Sequence, residues 1–178
     1  ADHGVAERLL KRGVKVSVLD LSISDEHAAV LNAAGSTWQY HHCNVTDLEA
    51  VKAAVDAAIA EFGPTELAIN FAGVIASASF AEMQDAEFYR VMDINVNGTY
   101  HFARAVMPHL RRGDRLALTA SMAGITSNYA YTSYGTSKFA VLGLATTLRY
   151  EYEPLGIGIR VICPPEVVTP MVNEEIAK

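Results

Sequence analysis

Apolar and polar positions along the chain follow two alternating patterns. Short runs rich in β-branched and aromatic residues, ending in small or polar ones, occupy residues 14–20, 38–43, 66–70, 115–121 and 159–163. Each is mostly continuous in apolar character, as expected of a parallel strand covered on both faces. Between them lie longer, Ala-rich stretches with apolar positions at helical spacing, over residues 5–12, 25–34, 47–62, 84–110 and 131–152. The punctuation agrees. Thr46, three residues before Glu49, is placed to cap the third helix and Gly63-Pro64 to end it, while Gly13, Gly35, Gly113 and Gly156 stand where other helices stop. Strand and helix alternating from end to end predict an α/β fold, an open, doubly wound parallel sheet in three α/β/α layers. Such sheets bind ligands beyond the carboxyl ends of their strands, so the residues just after each strand are the place to look for chemistry.

Composition narrows the function classes. With 178 residues, 51% of them hydrophobic and 19% charged, the chain can bury one sizeable core, and a single domain over residues 1–178 is expected. The net charge is -6 and the Lys and Arg residues are scattered, which argues against a nucleic-acid partner. The sequence holds no apolar run long enough to span a bilayer and no leader pattern, so no membrane partner and a cytoplasmic location are expected. Cys43 and Cys163 stand far apart, which suits two free thiols in a reducing compartment. His41 and His42 have no Cys, Asp or Glu at ligand spacing beside them, so no metal site is expected.

The strand ends carry the candidate chemistry. Asp20 closes the first run, where a dinucleotide fold places the acid that binds a ribose 2′-hydroxyl; alternatively it only opens a turn. Asn44 and Val45 follow the second run, and Asn70-Phe71-Ala72-Gly73 closes the third with small residues that would let a flat ring approach the backbone. By itself this is also an ordinary turn. Asn95 lies within a helical stretch despite poor helix propensity, either buried with partners or simply on the surface. Ser121 ends the fourth run. Tyr134 and Lys138, one helical turn apart, would point the same way, and an ammonium beside a phenol, whose pKa is normally about 10, favours phenolate. A phenol so tuned can exchange a proton with a substrate oxygen as hydride moves to or from a nicotinamide. A Tyr-xxx-Lys pair is weak evidence alone; its strength here lies in the order of the whole set.

With these residues in place, the sequence resembles the short-chain dehydrogenase/reductase family along nearly its whole length, which implies a Rossmann-like fold. NFAG is similar to that family's NNAG element, Asn95 to its tetrad asparagine, and Ser121-Met-Ala-Gly with Tyr134-Gly-Thr-Ser-Lys138 to its Ser and Tyr-xxx-Lys signature. The resemblance implies that Asn95, Ser121, Tyr134 and Lys138 are catalytic. It also implies that Lys138 holds the nicotinamide ribose, and that Asn95 keeps a water in line between Lys138 and solvent. Asn44 and Val45 would flank the adenine, and Pro164, Val167 and Thr169 would line the nicotinamide. Asp20, Asn70, Ala72, Gly73, Tyr134 and Lys138 complete the expected cofactor contacts.

Three departures from the family pattern stand out. The strand and TGxxxGxG loop that open the family and hold the pyrophosphate are absent. Gly4 then belongs to the first helix, and terminal residues of a longer protein are expected outside these 178. In the family the absent strand is central, and without it its neighbours would lie unpaired along their length. The chain by itself should bind dinucleotide weakly, and tight NADH binding in a fluorescence titration would contradict this. Pro164-Pro165 replaces the family's Pro-Gly, removing an amide and the freedom of positive φ beside the nicotinamide. The chain also stops soon after Met171, before a substrate-covering segment and a last strand.

The expected function is hydride exchange between NAD(H), preferred over NADP(H) because Asp20 would repel a 2′-phosphate, and a secondary alcohol or ketone. A non-catalytic binding or regulatory protein on the same fold is the alternative. Epimerisation or dehydration of a nucleotide sugar fits less well, since chains of that kind carry a larger carboxyl-terminal domain. By the family resemblance, a homodimer or homotetramer is expected.

Overall fold

The structure, a computed structural model, describes residues 3–35, 37–126 and 128–165. In chain order its elements are α1 (His3–Leu10), β1 (Val16–Asp20), α2 (Asp25–Ala34), β2 (Trp38–His42), α3 (Leu48–Phe62), β3 (Leu67–Asn70), α4 (Asp85–Met92), α5 (Gly98–Val106), β4 (Arg115–Thr119), α6 (Thr132–Tyr152) and β5 (Gly158–Ile162). Gly4 lies within α1, as expected. All strand pairs are parallel, β1 with β2 and β4 with both β3 and β5. Among the described residues no ladder joins β1 to β3, so each keeps one unpaired edge.

The layers follow from alternation along β1, where successive side chains face opposite ways. Val16 and Val18 pack with Leu10 of α1 and Leu31 of α2, whereas Leu19 packs against the larger core. That larger core lies between α3, α5 and α6 and the strands β3, β4 and β5; Leu116, Leu118 and Ile159 are fully buried in it. Helices therefore cover both faces of the strands, giving the three-layer α/β/α arrangement. No helix among the described residues is long and apolar enough to cross a membrane.

Several boundaries move for physical reasons. β1 starts at Val16 because Val14 is caught in the turn that ends α1, its amide donating to the Leu9 carbonyl just past Gly13 at φ 75°. The cap of α3 is Asp47, not Thr46: the Asp47 carboxylate accepts from the amides of Glu49 and Ala50, while the Thr46 amide and hydroxyl are both taken by Asn44. The helix expected over residues 84–110 is not continuous. Between α4 and α5 the chain widens into a π-type turn, Asp93–Asn97, and after α5 a tight turn, Met107–His109, contains Pro108. Such wide turns offset the side chains that follow and recur at functional sites.

Candidate active site

The candidate residues stand on the turns that follow the strands and on α6, and the turn after β3 is organised by two asparagines. Asn70, 5% exposed, accepts from the Ala72 amide and donates to the Thr99 hydroxyl. Asn95, 1% exposed in the π-type turn, pairs with the backbone of Val74 on both sides: its Oδ1 accepts from the Val74 amide at 2.8 Å and its Nδ2 donates to the Val74 carbonyl at 2.9 Å. The amide of a buried asparagine must be satisfied, and here it does the work of a short backbone ladder. A side chain on Gly73 would touch both Asn95 Oδ1 and Lys138 Nζ, each 3.4 Å from where its first carbon would stand. The glycine thus keeps open the space between the β3 turn and Lys138.

At the tip of β4, Ser121 is extended and its Oγ accepts from the Ala123 amide, capping the short turn Met122–Gly124. Gly124 packs on the backbone of α6: a Cβ there would come within 2.7 Å of the Lys138 carbonyl. This contact seats the serine turn against the first turns of α6. Lys138 is 5% exposed; its ammonium donates to the Thr119 carbonyl at 3.1 Å and lies 5.5 Å from the centroid of the Tyr134 ring. The Tyr134 ring is held edge-on by Tyr131, centroids 5.4 Å apart. Burial lowers the Lys138 ammonium from its ordinary 10.5 to about 8, and the nearby Cys163 thiol opposes this in part. Sequence spacing predicted that Tyr134 and Lys138 share a face, and the structure places them so.

In the β1–β2 pair Asp20 closes β1, its Oδ1 accepting from the Leu21 amide, opposite His42 in register. His42 donates to the Leu21 carbonyl. Among the described residues no three His, Cys, Asp or Glu side chains gather at metal-ligand spacing. Asn44 turns the chain after β2, and the Val45 carbonyl accepts from His101 Nδ1 of α5 at 2.8 Å. Gly98 allows this approach, since a Cβ on it would stand 2.8 Å from Val45 Cγ2 and 3.0 Å from Val45 Cβ. A β-branched side chain cannot swing away cheaply. Gly98→Ala is therefore expected to destabilise the protein by about 1–3 kcal/mol and to displace the Asn44–Val45 turn, measured as a lower urea midpoint. An unchanged midpoint would show that Val45 yields freely. The Pro164 carbonyl accepts from the Met122 amide at 3.0 Å, tying the segment after β5 to the serine turn. Val167 and Thr169 lie outside the described residues.

Sequence reasoning missed four contributors: Thr99, Ser137, His101 and Gly98. Each acts through a partner 29 to 56 residues away in sequence, or through a close approach, and helical periodicity carries no signal of either. Thr99 and Ser137 look like ordinary small residues on helices, yet they are 2% and 0% exposed.

Comparison with known proteins identifies the class to which this parallel α/β sheet, with a serine beyond a strand tip and a tyrosine and lysine on the helix that follows, belongs. The chain belongs to the short-chain dehydrogenase family, whose model, described as "short chain dehydrogenase", matches residues 3–178. It is 36% identical to the "Short-chain reductase protein NovJ" of Streptomyces niveus over 95% of this chain and 66% of that protein. It is 33% identical to "Oxidoreductase UcpA" of Salmonella typhimurium over 99% of this chain and 68% of that protein. The chain thus spans about two thirds of the length of these curated relatives. Among solved structures, levodione reductase superposes with a TM-score of 0.93 at 28% identity, covering 98% of this chain and 70% of that one. NAD+-bound xylitol dehydrogenase superposes with a TM-score of 0.92 at 30% identity, covering 98% and 69%.

Proposed function

We propose that this protein is an NAD-dependent dehydrogenase or reductase acting on a secondary alcohol or its ketone, with Tyr134 as general acid/base. The observation that carries the proposal is the buried Lys138 ammonium, which spans from the Thr119 carbonyl at the tip of β4 to the Tyr134 ring. A buried cation with one acceptor among the described residues has N–H donors to spare, and ribose hydroxyls fit that need. The hydroxyl of the same threonine is buried without a partner among the described residues. Nicotinamide dinucleotide, when bound, supplies the hydride chemistry.

The chain's own residues supply the rest. The Ser121 oxygen already accepts from the Ala123 amide, so its hydroxyl proton is available to a substrate oxygen and can orient it. Tyr134 gives its proton to a carbonyl oxygen in reduction or takes one from an alcohol in oxidation. Lys138 stabilises the negative charge that develops on the phenol oxygen and holds ribose. Asn95 supports the proton path to solvent by fixing the turn that faces Lys138. Asp20, Asn44, Val45, Asn70, Ala72, Gly73 and Pro164 would line the dinucleotide from adenine to nicotinamide, joined by Val167 and Thr169.

The test is a scan of secondary alcohols with NAD and NADP, and of ketones with the reduced forms, following nicotinamide absorbance. Turnover with NAD(H) above NADP(H) is expected, and no turnover across a broad panel would remove the proposal. Asp20→Ser should narrow the preference for NAD by about tenfold or more, because like charges at this range repel by about 1–4 kcal/mol; an unchanged ratio would clear Asp20 of that role. Tyr89, Tyr100 and Phe139 are exposed on α4, α5 and α6, which supports a homodimer or homotetramer built on these helices. Light scattering showing a monomer would exclude it.

A further inference from the structure

Two hydroxyls that the proposed chemistry does not use sit in one buried chain of hydrogen bonds. It begins at the turn after β3 and ends on the backbone of Tyr134. Asn70 Nδ2 donates to Thr99 Oγ1 at 2.9 Å, and Thr99 Oγ1 donates to the Asn95 carbonyl at 2.6 Å. Asn95 Nδ2 donates both to the Val74 carbonyl and to Ser137 Oγ, each at 2.9 Å, and Ser137 Oγ donates to the Tyr134 carbonyl at 2.7 Å. Asn70, Thr99, Asn95 and Ser137 are all 5% exposed or less. The direction of every bond is forced. An amide NH2 can only donate and a carbonyl can only accept, so each hydroxyl must take its proton onward to a carbonyl. A chain with no reversible member, sealed from water, has one arrangement and resists displacement.

We propose that Thr99 and Ser137 are positioning residues that couple the Asn70–Val74 turn to the first turn of α6, so that the placement of Tyr134 is set by the turn that would face the nicotinamide. The consequence for turnover rests on the oxidoreductase reading above; the mechanical coupling does not. Tyr134 stands in the first turn of α6, whose backbone N–H groups have no intrahelical acceptor. Ser137 bonds the Tyr134 carbonyl from within the same helix, and the bond that Ser137 receives from Asn95 ties that turn to Val74 of the β3 turn.

The test uses Thr99→Val, which keeps the shape and deletes the hydroxyl, Thr99→Ser, which keeps the hydroxyl, and Ser137→Ala at the other end. Amide hydrogen exchange is measured by mass spectrometry on the dinucleotide-free protein, so it needs no turnover. In Thr99→Val, exchange should rise about tenfold, the equivalent of one buried hydrogen bond, in peptides covering residues 72–76 and 131–138 as well as at α5. Thr99→Ser should restore the wild-type pattern. A rise confined to α5 overturns the proposal, as does an equal rise in Thr99→Ser. Where Ser137→Ala or Thr99→Val fails to fold, the other carries the same measurement. In protein that turns over, both deletions should lower kcat about tenfold with KM for the dinucleotide little changed, and the double variant should lose less than the product of the two. Unchanged kcat per folded molecule, or fully independent effects, also overturns it. A wild-type protein that never turns over would instead sink the oxidoreductase reading and leave the exchange result to decide the coupling.

Discussion

Tyr134→Phe is expected to lower kcat by about 10²–10⁴-fold, the usual contribution of a positioned acid/base, while leaving dinucleotide affinity nearly intact. Phe keeps the ring and hence its edge-on contact with Tyr131 and its place beside the Lys138 ammonium. Only the oxygen proposed to exchange the proton is lost. Steady-state kinetics with the best alcohol or ketone, paired with a titration of NADH fluorescence, separates the two quantities. Substantial residual turnover would refute the assignment of Tyr134. A collapse of cofactor affinity would mean that the phenol oxygen holds the dinucleotide.

Lys138→Met should abolish most turnover too, yet yield a more stable protein at neutral pH. The folded state holds this ammonium at about 8 against an ordinary 10.5, with burial as the leading cause. The sign follows directly. Below about pH 8 the group is charged in both states and the fold bears the whole cost of burying it; between about 8 and 10.5 the folded protein sheds the proton while the unfolded chain keeps it, so stability rises with pH; above 10.5 the difference is gone. At about 1.4 kcal/mol for each tenfold change in protonation, the full cost is on the order of 3 kcal/mol. Allowing about 1 kcal/mol for the lost bond to the Thr119 carbonyl, Lys138→Met should gain roughly 1–2 kcal/mol at pH 7. The gain should vanish before pH 10.5, where the charge cost is gone and only the lost bond remains. Urea denaturation of both proteins at several pH values measures this, and a variant no more stable than the wild type at pH 7 would show that the buried charge is well compensated. A cation kept at such a cost beside Tyr134 supports the role proposed for it above.

Much of the candidate site is legible in the sequence, because its main pair obeys local geometry. Tyr134 and Lys138 share a helical face by spacing alone, and Ser121 follows a strand run that any parallel sheet would end at a crevice. Asn95 stood out for its poor fit to a helix, and the structure explains why it is tolerated: the helix widens there, and the side chain pairs with Val74. The wide turn itself was not legible, since its Asn95 is held by Val74 and Ser137, which arrive from elsewhere in the chain. The cap of α3 was misplaced by one residue for a similar reason. Thr46 and Asp47 are both good caps, and the choice fell to Asn44, which occupies Thr46.

What the amino-acid order determined by itself was the alternation of strand and helix, the parallel character of the strands, and the common face of Tyr134 and Lys138. These rest on periodicity and side-chain type, which act over a few residues. Tertiary structure alone decided that the Lys138 ammonium is stripped of water and bound to the Thr119 carbonyl, that Gly98 lets α5 reach Val45, and that two hydroxyls join the β3 turn to Tyr134. Desolvation and hydrogen-bond pairing depend on which distant segments surround a group, and spacing along the chain holds no record of that.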